Sequence, residues 1–234
     1  MRILAIDTSG QQAGAAIVDN YITIGEIQLN ARTGEKSWTH SEILMPGIHQ
    51  MFKLTGLQLH DIDYVAYTAG PGSFTGLRIG ASCALGLAHG LNKPTIAVPT
   101  LDALAYNIAG AGGLIVPMMD ARRGQVYFAA YSAAHERITD YAAMPVGDAM
   151  AIVAEKCAGE QVIFLGDGAD AYRDEIVADN PRVKFAKPNM NRQRASSAGV
   201  WALNHIKNGG VGDTKVEILY VRSPQAVRQK QGLA

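Results

Sequence analysis

Apolar positions change rhythm along the first hundred residues, and each rhythm predicts a different element. "RILAIDTS" is a short apolar run that ends in Asp7, Thr8 and Ser9. The next twenty residues, "QAGAAIVDNYITIGEIQLNA", are rich in β-branched side chains, carry a turn signal at Asp19-Asn20 and show no helical stripe. Together they read as three consecutive strands joined by tight turns. Over residues 39–54 the period lengthens, with Ile43, Leu44, Ile48, Met51, Phe52 and Leu54 at helical spacing, Pro46 near the first turn or at a bend, and Gly56 as a stop. "DIDYVAYTAG" is a strand, a glycine-rich loop follows, and residues 74–90 predict a helix closed by Gly90. "KPTIAVPT" is another strand and "LDALAYNIAG" another helix. The order β-β-β-α-β-α-β-α describes an α/β domain with an antiparallel start and a parallel continuation.

A related grammar restarts near residue 114. "GLIVPMMDARRGQVYFAAYSA" is strand, turn at Arg122-Arg123-Gly124, and a second strand in which Tyr127, Ala129 and Tyr131 alternate with Phe128 and Ala130. "PVGDAMAIVAEKCAG" and "SAGVWALNHIKNG" are helical, and "QVIFLGDGADAYRDEIVAD" is strand, turn and helix. Two halves that each open with strand, Asp, turn and strand suggest duplication of one unit. We therefore expect an N-terminal domain over 1–105 and a C-terminal domain over 106–234, the last helix and tail being free to pack back on the first. The tail "VEILYVRSPQAVRQKQGLA" begins extended and ends in a fraying, basic terminus.

Composition narrows the class. A chain of 234 residues, 48% apolar and 18% charged, can bury two cores. Twenty-one basic residues balance twenty-one acidic ones, so nothing in the bulk charge argues for nucleic-acid binding. Cys83 and Cys157 sit in helix-like apolar contexts without metal-ligand spacing and read as buried thiols. The N-terminus turns polar after four apolar residues, which fits neither a signal peptide nor a membrane span, and makes a cytoplasmic location the expectation.

Two stretches carry candidate chemistry. Asp7 at a strand end, with Thr8 and Ser9 after it, has the placement of a carboxylate that positions a metal-bound phosphate. "AGPGSFTGLRIG", residues 69–80, is shaped like a phosphate loop but fails both phosphate-loop patterns. It has no lysine after Gly76, and Gly76 falls one position too late for G-x-G-x-x-G. What remains is a tight turn, Ser73 or Thr75 as N-cap, and helix-start amides that could accept an anion. Beyond it Gly76, Gly80, Ala84 and Ala88 recur every fourth residue, beside an apolar stripe at Leu77, Ala81 and Leu85, with Arg78 and Phe74 near the helix start. That smooth face suits core packing or a neighbouring helix. The six histidines form no ligand pair.

As a set, "MRILAIDTS", "HSEILMP", "AGPGSFTGLRIGASCALGLAHG", "VPTLDALA" and "DARRGQVY" resemble the TsaB (YeaZ) family, in register to about residue 130. The resemblance implies an α/β fold of two actin-like (ribonuclease H-like, ASKHA) domains. It also implies a part in making threonylcarbamoyladenosine beside the anticodon of tRNAs that read codons beginning with A. In that chemistry the metal-dependent relative TsaD is the catalytic subunit, TsaB its heterodimer partner, and TsaE an ATPase that docks on the pair. A homodimer is implied in isolation, with tRNA met only through the complex. TsaD carries H-x-x-x-H where this chain has Thr100 and Leu104, so no metal and no cofactor are expected.

On this reading the partner surface is His40, Ile43, Leu44, Ile48, Met51, Phe74, Gly76, Leu77, Arg78, Gly80, Ala81 and Ala84. Asp7, Thr8, Ser9, Asp120 and Arg122 are left as a vestigial phosphate site, and weak or absent ATP binding is expected. The competing readings are an actin-like kinase or ATPase built on Asp7, Ser9 and Asp120, and direct tRNA contact by Arg192, Arg194, Arg222, Arg228 and Lys230.

Overall fold

A computed structural model describes residues 1–30, 32–33, 36–157, 159–177, 182–215 and 217–221. Arg222, Arg228 and Lys230 lie outside the described residues. The chain divides into two units, one of Met1–Tyr106 with Gln193–Leu219, the other of Asn107–Arg192 with Tyr220–Ala234.

In the first unit, strands β1 (Arg2–Asp7), β2 (Gln12–Asp19), β3 (Ile22–Asn30), β4 (Tyr64–Gly70) and β5 (Thr95–Pro99) form one sheet in the order β3-β2-β1-β4-β5. β1, β2 and β3 pair antiparallel, and β1, β4 and β5 pair parallel. β1 reads as an unbroken apolar run because both faces are covered. Its side chains alternate sides. Leu4 and Ile6 join α1 (His40–Thr55) and α2 (Phe74–Leu91), while Ile3 and Ala5 join α3 (Thr100–Ala105) and the late helix Ala195–Lys207. α1 keeps Pro46 in its interior and stops at Gly56, whose φ of 71° is the left-handed cap the sequence predicts. α2 runs one residue past Gly90 and is closed by Asn92 at φ 53°. An asparagine tolerates that conformation, which is why glycine was not required there.

The second unit repeats the plan. β6 (Leu114–Arg122), β7 (Gln125–Phe128), β8 (Ala142–Pro145), β9 (Val162–Leu165) and β10 (Val183–Phe185) run in the order β8-β7-β6-β9-β10, with the same antiparallel and parallel senses. α4 (Val146–Lys156) packs Val146, Ala149 and Val153 into a core with Val116, Met118, Phe128 and Phe164. The predicted helix after β9 is two short pieces, α5 (Asp167–Ala171) and α6 (Arg173–Val177).

Helix α7 (Ala195–Lys207) belongs to the first unit, where Ala198, Ala202 and Leu203 are buried on β1 and β4. Glu26 of β3 fixes its start, accepting hydrogen bonds from the backbone N–H of Ser196 at 3.0 Å and its hydroxyl at 2.7 Å, and pairing with Arg194. Arg194 offers no side-chain cap of its own, so a carboxylate from a strand far away in sequence supplies one. Residues 217–219 then run beside β4 without joining the sheet, with Leu219 N–H donating to the Ala69 carbonyl at 2.7 Å.

Candidate functional site

The end of β1 and the glycine-rich loop are one packed assembly. Asp7 is 3% exposed. Its Oδ1 accepts from Ser9 N–H at 2.9 Å, the Ser9 hydroxyl at 2.7 Å and the Thr68 hydroxyl at 3.1 Å. Burial pushes the Asp7 carboxyl above the usual aspartate range, against the opposing pull of those donors and of the His40 charge. The Thr8 hydroxyl donates to the Gly76 carbonyl at 2.7 Å. The Thr8 and Ser9 hydroxyls are therefore engaged inside the protein.

The loop is pressed onto that turn. Ser73 N–H donates to the Ser9 carbonyl at 2.7 Å. A Cβ on Gly72 would lie 2.5 Å from the Ser9 carbonyl oxygen. Ser73 is the N-cap of α2 and its hydroxyl accepts from Gly76 N–H at 3.2 Å. The Ser73 and Gly76 amides at this helix start are thus bonded within the chain.

The same packing corrects the partner surface expected on α2. A Cβ on Gly76 would sit 2.1 Å from the Thr8 carbonyl oxygen, and one on Gly80 would sit 2.3 Å from Thr8 Oγ1. These glycines make room for the protein's own β1 turn, not for another helix. Leu77, Ala81 and Ala84 are buried with them, and from α1 Leu44, Ile48 and Met51 are buried against the sheet. Helical spacing alone does not say which side of an apolar stripe meets the strand beneath it. His40 and Ile43 are half-buried, while Phe74 and Arg78 are exposed, with the Arg78 guanidinium 3.9 Å over the Phe74 ring. Phe74, Thr75, Arg78, Ile79 and Ser82 line an open recess. Met45, 44% exposed, lies on the outer side of α1 and is bridged to α2 by a Cys83 Sγ to Met45 Sδ contact of 3.1 Å. Sequence periodicity missed Met45 and Ser82 because their outward placement follows from how the two helices are rotated on the sheet.

Thr100 and Leu104 both pack inside the protein. Thr100 is fully buried and its hydroxyl accepts from Gly70 N–H at 3.2 Å, and Leu104 is buried in the core. Asp102 accepts from Trp201 Nε1 at 3.1 Å. Among the described residues no three His, Cys, Asp or Glu side chains converge on one point.

In the second unit Asp120 and Arg122 do meet. Arg122 N–H donates to Asp120 Oδ1 at 2.8 Å and its guanidinium to Oδ2 at 3.0 Å. Arg122, Arg123 and Gly124 all take positive φ, at 66°, 59° and 71°, so two arginines occupy a turn geometry that favours glycine. Asp167, at the start of α5, accepts from Asp120 N–H at 3.3 Å, and burial raises its carboxyl above the usual range.

A family model described as TsaD, tRNA N6-adenosine threonylcarbamoyltransferase, matches residues 34–218. The tRNA threonylcarbamoyladenosine biosynthesis protein TsaB of Bacillus subtilis (strain 168) is 34% identical over 179 residues, 75% of each chain. Its counterpart of that name in Escherichia coli (strain K12) is 37% identical over 133 residues, 56% of this chain and 55% of that one. Among solved structures, YeaZ from Pseudomonas aeruginosa superposes with a TM-score of 0.77 at 23% identity, over 94% of this chain and 99% of that one. ROK hexokinase from Thermus thermophilus superposes at 0.51 with 11% identity, over 89% and 100%, a likeness of fold alone. The two five-stranded sheets give the mixed α/β fold shared with YeaZ and the hexokinase, and the chain belongs to the TsaB (YeaZ) family.

Proposed function

We propose that this protein is the non-catalytic subunit of a tRNA-modifying assembly that makes threonylcarbamoyladenosine. It pairs with the catalytic subunit TsaD, and TsaE with ATP docks on that pair. The observation that carries this reading is the closed end of β1. The carboxylate that would serve a phosphate has one oxygen saturated by Ser9 and Thr68, and the loop above it is bonded onto Ser9. Thr100 and Leu104 support the same reading, since neither side chain supplies the imidazole of a metal site.

The surface for TsaD, and for a second copy when TsaD is missing, is the outer side of α1 and α2. It comprises Met45, Phe74, Arg78 and Ser82, with His40 and Ile43 at its margin and Ile79 in the recess. Aromatic and sulfur-containing side chains beside an arginine are the composition of a pairing surface rather than of a solvated face. Such a protein works in the cytoplasm, where tRNA is modified, and meets tRNA only through the complex.

The deciding experiment reconstitutes modification from this protein, TsaD, TsaE, tRNA, ATP, threonine and bicarbonate, with the enzyme that makes the threonylcarbamoyl-adenylate, omitting one protein at a time. Loss of product without this protein, together with no turnover of the adenylate by this protein alone, is the expected result. Full modification in its absence, or Asp7-dependent ATP hydrolysis by the isolated chain, refutes the proposal.

A further inference from the structure

A second recess, of about 420 Å³, lies on the first unit where the end of α7 meets the residue after α3. That volume is within the range of small-ligand sites. Its walls include three rings, those of Tyr106, Trp201 and His205. The Trp201 Nε1–H is tied to Asp102 at 3.1 Å, and the His205 imidazole stacks on the indole with centroids 5.1 Å apart and planes 9° apart. The Gly210 backbone closes on the imidazole, since a Cβ there would lie 2.3 Å from Nε2. These rings are held before any ligand arrives. The other polar groups are uncharged amides. Asn204 accepts from the Tyr21 hydroxyl at 2.7 Å through Oδ1 and donates to the Tyr106 hydroxyl at 3.2 Å through Nδ2. Each end of that carboxamide keeps one further valence, a second N–H and a second lone pair. Asn208, exposed, adds another amide, and among the described residues no carboxylate lines the recess. The cation beside it is Lys207, exposed, with Nζ 4.1 Å from the centroid of the Tyr21 ring whose hydroxyl meets Asn204. Fixed rings, neutral donors and acceptors and a flanking cation suit a base, taken by its face and edge, with phosphate alongside.

We propose that this recess takes one base of a single-stranded RNA segment, with Lys207 on an adjoining phosphate. The inference rests on the reading that the protein works beside tRNA, and it adds a contact made by this chain's own side chains. One base and one cation make a weak contact, which acts once the complex has brought the RNA close.

Nitrogen-15 NMR of the full chain tests it, following the Trp201 Nε1–H and Asn204 Nδ2 resonances with the Trp38 indole as internal reference. The probes are adenosine, ribose 5-phosphate and a hexa-adenylate RNA. Both resonances move saturably with adenosine and with the hexamer, the hexamer binding several-fold tighter, and ribose 5-phosphate moves neither. Lys207→Ala brings the hexamer down to the affinity of adenosine and leaves adenosine binding unchanged, while Asn204→Ala, read at Trp201, loses both. Asn204 also ties Tyr21 to Tyr106, so if Asn204→Ala does not fold, Lys207→Ala on its exposed side chain carries the test. Resonances that stay still with the hexamer overturn the proposal, as does an equal response to ribose 5-phosphate and adenosine, or full hexamer affinity in Lys207→Ala. Co-purification with TsaD is measured alongside. Still resonances in a chain that pairs with TsaD refute the RNA site alone, and moving resonances in a chain that does not pair refute the partner reading alone.

Discussion

Replacing Gly76 by alanine tests where the small-residue stripe of α2 is used. The new Cβ would lie 2.1 Å from the Thr8 carbonyl oxygen, a backbone atom at the end of a central strand. It must be displaced by more than an ångström to reach ordinary contact. Overpacking of this kind costs about 1–3 kcal/mol. The Thr8 hydroxyl bond to the Gly76 carbonyl, worth about 1 kcal/mol, is disturbed with it. Alanine returns about 1 kcal/mol through helix propensity. The balance is a loss of about 1–3 kcal/mol, which for a chain of this size lowers the melting temperature by about 3–10 °C.

Gly86 on the same helix is the control. It is exposed, and nothing lies within 4 Å of its missing Cβ. Gly86→Ala therefore gains about 0.5–1 kcal/mol. Circular dichroism melts of both variants, with light scattering to record oligomeric state, separate the two readings. If Gly76→Ala melts as high as the native chain and loses only association, the glycine faces a partner after all and the packing argument is wrong.

Three further outcomes follow from the same geometry. Asp7→Asn keeps an acceptor at the Oδ1 position and removes a buried charge. Because the folded-state pKa of Asp7 is raised, the stability it contributes is complete below the ordinary aspartate range and is lost as pH rises through the raised value. Asp7→Asn should therefore melt above the native chain near neutral pH and level with it near pH 4, and a constant difference across a series of melts would contradict this. Glu26 is the opposite case. Burial acts upward on its carboxyl, but Arg194 and the two Ser196 donors hold it below the usual glutamate range, so its contribution is present above that range and lost in acid. Glu26→Ala should cost about 1–3 kcal/mol and speed hydrogen exchange in α7, and unchanged exchange there would remove Glu26 as its cap. Finally, Phe74→Ala combined with Met45→Ala should weaken pairing with TsaD at least about tenfold in a titration while leaving the melt unchanged. Undiminished affinity would move the pairing surface elsewhere.

Much of this fold could be read from the sequence, for physical reasons that also explain the failures. β1, β2 and α1 announce themselves because long buried elements carry long apolar patterns. β8, "AAMP", and the three-residue β10 have too little β-branched or alternating character to register, and their place at the sheet edges comes from pairing with β7 and β9. The Asp7, Thr8 and Ser9 turn was visible as a cluster, but not the closing of it, since that depends on Ser73 reaching Ser9 and Thr68 reaching Asp7 across the chain. In the same way the glycines at 76 and 80 signalled close approach without naming the neighbour. A period gives the width of a face, and only the three-dimensional packing says what lies against it.

The position of α7 also bears on the order in which the protein is made. A ribosome releases the five-stranded sheet and first three helices of the first unit well before Ala195–Lys207 exists, leaving Ile3, Ala5, Ala66 and Val98 without the helix that covers them. The intervening residues 107–192 have a complete sheet and core of their own and can fold in the meantime. The first unit is then completed only after residues 107–192 have been made, and until then its strands wait with one apolar face open.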